Sequence, residues 1–164
     1  MNHLESLIAE YYDWKGYLVK KNLKVGKLSH GGWEMELDII AFNPITQHLI
    51  HIEPSIDAYS WEIRESRFKK KFESGEKYMF SNVFPWLDEN TPVERIIVLP
   101  AHSAGRDYLC GAKIFSLDEF MLKISVHDKF HRALVLSGFF FLKIASTFLN
   151  SSFFPKPIKR RIAI

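Results

Sequence analysis

The apolar positions of this chain recur in two rhythms, and their order predicts an α/β fold. Leu4, Leu7, Ile8, Tyr11, Tyr12 and Leu18 return at helical spacing and Gly16 supplies a stop, so a first helix is expected over residues 3 to 15. A weak strand from Tyr17 to Lys27 and a Gly31-Gly32 turn follow. Two short apolar runs come next, Glu36 to Phe42 and His48 to Ser55, joined through Asn43-Pro44, which is a turn signal. They read as a hairpin. From Trp61 the rhythm is helical again, through Phe68, Phe72 and Met79, so a second helix capped by Asp57 or Ser60 should run to about Tyr78. Val93 to Leu99 is a buried strand stopped by Pro100; Ala112 to Phe115 is a shorter one, and the capping box Ser116-Leu117-Asp118-Glu119 opens a third helix. The order is αβββαβ followed by βα, a central mixed sheet flanked by helices. Residues 1–132 form the α/β domain, and 133–164 form an apolar helix and basic tail expected to pack on it.

The hairpin carries carboxylates where an apolar strand rarely tolerates them. An ionised Asp or Glu buried in such a strand costs several kcal/mol unless it is paired or holds a metal. Side chains on a strand alternate, so Glu34, Glu36 and Asp38 share one face while Met35, Leu37, Ile39 and Ala41 share the other. His51, Glu53 and Ser55 likewise share a face. Across the hairpin Asp38 and Glu53 become neighbours, which suits a two-carboxylate metal site. On the second helix Arg64, Arg67 and Lys71 fall on one flank, and Glu62, Glu65, Glu73 and Glu76 fall on or toward the other. One reading is salt bridging on an exposed surface; the other is a basic flank that faces a phosphodiester held near Asp38 and Glu53.

Composition narrows the classes. At 164 residues with fourteen Phe the chain is most simply one domain with a real core. Its lone Cys110 excludes an internal disulfide framework and a Cys-based zinc cluster, which suits a reducing cytoplasm. A net charge of +3 does not by itself indicate a nucleic-acid binder, although Lys156 to Arg161 concentrates positive charge. Met1 to Glu10 has no apolar core of a secretory signal. Ala133 to Leu149 is shorter than the ~20 apolar residues of a membrane span, and Lys143 interrupts it, so no membrane association is expected. His127 and His131 stand four apart without a third ligand at recognisable spacing. No nucleophile elbow, P-loop or dinucleotide fingerprint is present.

Taken together, Glu5 on the first helix, Gly16-Tyr17 opening a strand, the Gly-x-x-Glu-x-Glu-x-Asp run from Gly31 to Asp38, and an apolar strand carrying Glu53 resemble the PD-(D/E)XK nuclease superfamily. The resemblance covers residues 3–80 and is closest to the restriction-endonuclease-like and Holliday-junction-resolvase-like branches. It implies a restriction-endonuclease-like core, DNA as partner, and Mg²⁺ (or Mn²⁺) held by Asp38 and Glu53, with Glu5 completing the site. The family places a lysine two residues after the second acid. Here that residue is Ser55, which supplies no cation. Some members carry the lysine on the neighbouring helix, and Lys71 is the candidate here, with Arg64, Arg67 and Lys69 as phosphate ligands. The function implied is a metal-dependent DNA endonuclease, and a homodimer by analogy with nucleases that cut both strands. The alternative is a catalytically inactive nuclease-fold module that binds nucleic acid or a protein partner.

Overall fold

The computed structural model describes residues 3–125. The first amphipathic run forms α1, His3–Trp14, which buries Leu4, Leu7, Ile8, Tyr11 and Tyr12 against the first two strands. Three antiparallel strands follow, β1 (Leu18–Lys27), β2 (Trp33–Asn43) and β3 (His48–Pro54). The chain then crosses over through α2, Trp61–Tyr78, which continues into a π-helical turn, Met79–Val83, before β4, Val93–Leu99. A short strand β5 (Tyr108–Leu109), β6 (Ala112–Ser116) and α3 (Leu117–Ser125) complete the described chain. The sheet has six strands in the order β1-β2-β3-β4-β6-β5; β3, β4 and β6 run parallel, and β5 pairs antiparallel with β6. It is an α/β arrangement with three flanking helices.

The central strands explain the apolar runs. β3 and the carboxyl-terminal half of β4 are buried, as expected where helices cover a sheet. Ile40, Phe42 and Leu49 pack with Met79, Val83 and Phe84, while Phe68 and Phe72 of α2 pack with Ile97, Leu99 and Ile114. The apolar stripe read along the second helix is therefore what seats α2 on the sheet. That seating fixes where its charged flank points.

The local expectations met mixed outcomes. Ser60 stands at the N-cap of α2, yet its side chain makes no cap hydrogen bond. At α3 the capping box forms fully: the Glu119 N–H donates to Ser116 Oγ at 3.1 Å, and the Ser116 N–H donates to Glu119 Oε2 at 2.6 Å. β5 was not expected, because two residues carry no readable period. The π-helical turn after Tyr78 was not expected either. His127, His131, the segment 133–164 and its basic tail lie outside the described residues. Among the described residues no helix is long and apolar enough to cross a membrane.

Candidate active site

The sheet opens at one point. The β2–β3 register ends at the pair Ile39 and Ile52, one step short of Asp38 and Glu53. Two backbone features account for the opening. The Ser55 N–H donates to Val98 O at 2.9 Å on β4, so by alternation the Pro54 nitrogen lies on the β2 side, where it has no hydrogen to give. On the other flank the β1–β2 register skips Asn22, which stands opposite Asp38 and has a left-handed φ of +52°. Freed from the ladder, the Asp38 N–H instead donates to Glu53 Oε1 at 3.2 Å.

Lys71 enters this opening from α2. Its ammonium donates to Asp38 Oδ1 at 2.6 Å and also to Glu53 Oε2. The lysine and Asp38 side chains are 22% and 14% exposed and Glu53 is 0% exposed, so the cluster is drier than a surface ion pair. Behind it, His51 Nε2 lies 2.7 Å from Glu53 Oε1. Two carboxylates and one ammonium share the space, and one negative charge is left unbalanced.

The titration directions express that imbalance. Burial, and then the charge of Glu53, push the Asp38 carboxyl up to about 7 against the pull of Lys71. Burial likewise raises Glu53, with Lys71 opposing. Burial alone would lower Lys71, but the two carboxylates outweigh it and hold the ammonium above the ordinary lysine range. His51, desolvated and close to the Lys71 charge, falls to about 3 and is a neutral imidazole near pH 7.

A cavity of about 220 Å³ adjoins the cluster, lined by Glu5, Asp38, Ser55, Asp57, Arg64, Arg67 and Lys71 among others. Ser55 is engaged locally: its hydroxyl lies 3.2 Å from Asp57 Oδ2 and accepts the Asp57 N–H at 3.3 Å. Asp57 in turn anchors both arginines. Arg67 Nη1 donates to its Oδ2 at 2.7 Å, and Arg64 Nη2 donates to its backbone oxygen at 2.5 Å. Sequence reasoning weighed Asp57 only as a helix cap and missed this role. An acid two residues beyond the vacant Ser55, with arginines one to two helical turns into α2, is the signal that was present.

Not every candidate comes together. Lys69 does not line the cavity; it is exposed and faces Glu73 at 3.9 Å. Two residues of helix turn it about 200° away from Lys71, so the structure does not bring it together with the other candidates. Glu5 reaches the cavity wall, but among the described residues no three His, Cys, Asp or Glu side chains form a ready ligand set. Asp38 lines the cavity, and Glu53, buried behind it, shares the Lys71 ammonium with it, so the pair sets two hard oxygen donors next to each other. That combination fits a hard divalent cation such as Mg²⁺ or Mn²⁺. No protein-family model, curated protein or solved structure matches the chain.

Proposed function

We propose that this chain is a divalent-metal-dependent DNA endonuclease with a restriction-endonuclease-like core. The observation that carries the reading is the meeting of Lys71 with Asp38 and Glu53, a strand-borne acid pair completed by a cation that arrives from a helix. Position 55 is where the resemblance wants a lysine, and Lys71 brings the missing charge to the same acids.

Asp38 and Glu53 Oε2 would hold Mg²⁺ or Mn²⁺, and Glu5 would assist from the cavity wall. When bound, such an ion polarises a phosphate oxygen and lowers the pKa of water. Lys71 offers a fixed positive charge where negative charge develops on the scissile phosphate. Arg64 and Arg67, held by Asp57, bind the flanking phosphates. Hydrolysis breaks one P–O bond, places the water oxygen on phosphorus and returns a proton to the leaving oxygen. The lone cysteine suits a cytoplasmic setting, and cutting both strands of a duplex suits a homodimer.

The test is incubation of purified protein with supercoiled and branched DNA in Mg²⁺ or Mn²⁺, beside Asp38→Asn. Nicking by the wild type that is lost in the variant is expected. Equal nicking by both, or none by either, would overturn the reading.

A further inference from the structure

Gly75 lies inside α2, where a glycine costs about 1 kcal/mol relative to alanine, so its presence calls for a packing reason. The reason is His51. A Cβ built on Gly75 would stand 2.5 Å from both Cε1 and Nδ1 of the imidazole, closer than any real contact. The helix backbone thus lies directly on the ring. One turn earlier Phe72 meets the ring edge-to-face, with centroids 4.8 Å apart and planes at 73°. His51 is 1% exposed, and these walls fix its orientation.

That orientation aims Nε2 at Glu53 Oε1, 2.7 Å away. With Glu53 ionised its carboxylate only accepts, and the ring hydrogen then stands on Nε2. The same oxygen accepts the Asp38 N–H at 3.2 Å. With Oε1 taken by two donors, Oε2 is the oxygen turned toward Lys71.

We propose that His51 is a positioning residue that fixes the rotamer of Glu53, and that Gly75 is the place in α2 that makes room for it. The role given to Glu53 rests on the reading under Proposed function. His51 itself touches no reacting atom. It acts as the outer partner of a ligating carboxylate, a relationship whose removal weakens metal affinity about 10- to 100-fold.

Three measurements on the full chain test this. In metal-free protein, ¹⁵N-edited NMR should find His51 neutral with a slowly exchanging Nε2–H whose shift moves in Glu53→Gln; an Nδ1–H tautomer would overturn the proposal. Titration with Mn²⁺ in the absence of DNA should show affinity about 10- to 100-fold weaker in His51→Ala, with part restored in His51→Gln, whose amide N–H has similar reach. A folded His51→Ala that binds Mn²⁺ as tightly as wild type would overturn it. Gly75→Ala should lower Tm in the wild-type background and not in His51→Ala, where the ring is gone; an equal loss in both would overturn the part played by Gly75. A wild type that binds no Mn²⁺ defeats the metal reading instead, and the NMR result then decides the His51 contact alone.

Discussion

The Lys71 ammonium lies 2.6 Å from Asp38 Oδ1, joining residues 33 positions apart. The same ammonium reaches Glu53, so one helix side chain ties together the two strands at the point where their ladder stops. The contact follows from the seating of α2: Phe68 and Phe72 bind it to the sheet, and Lys71 projects beside them. Packing thus decides which cation meets the acids.

Removing that cation should cost stability. Lys71→Ala leaves two largely buried carboxylates without the ammonium that they share, and breaking a buried pair this way costs about 3 kcal/mol or more. Urea unfolding at pH 8 is the measurement. A stability within about 0.5 kcal/mol of wild type, the range of ordinary surface substitutions, would count against a tight buried cluster.

Asp38 should make stability depend on pH in an unusual sense. Its carboxyl titrates at about 7 in the fold and from 3.8 when unperturbed, so across that window the folded state holds the extra proton. Stability contributed by this group therefore falls as pH rises from about 4 to about 7. His51, depressed to about 3, acts in the opposite direction below its ordinary range, so the comparison must be between proteins that both carry it. Asp38→Asn, neutral at every pH, should come closest to wild type near pH 4, where the loss begins, and exceed it in Tm at pH 8. A variant less stable than wild type at pH 8 would contradict the direction.

Arg67 is exposed and bound to Asp57, so its loss should leave the fold nearly untouched. Arg67→Ala should weaken DNA binding similarly across sequences and reduce the slope of log affinity against log salt by about 1. Fluorescence anisotropy at several salt concentrations reads both, using Asp38→Asn as the background to prevent cleavage. An unchanged slope would place Arg67 off the phosphate path.

Most of this arrangement was legible along the chain because it rests on local periods. Charges inside apolar strands marked Asp38 and Glu53, and helical spacing put Arg64, Arg67 and Lys71 on one flank beside the stripe that seats α2. β3 ends at Pro54, whose nitrogen has no hydrogen to donate. What escaped is long-range or too short to have a period. The β5 hairpin turns on Cys110 and Gly111, both at positive φ, and one is not a glycine. In the π-helical turn Met79 and Val83 pack with Ile40 and Phe42, contacts that no window along α2 contains. Lys69, two residues before Lys71, points about 200° away from it around the helix and lies outside the cavity lining. The fit of Gly75 to His51 depends on where α2 crosses β3 and is invisible until the two are joined.

The most direct measurement is the rate of metal-dependent DNA cleavage in four proteins: wild type, Asp38→Asn, Lys71→Ala, and Lys71→Ala combined with Ser55→Lys. Lys71→Ala should lose about 100-fold or more, the cost of removing one aligned charge from a reacting centre. Restoring a lysine at position 55 should recover part of that loss, while Asp38→Asn stays inactive. Cleavage by Lys71→Ala at the wild-type rate would contradict the claim that this helix lysine serves the two strand acids.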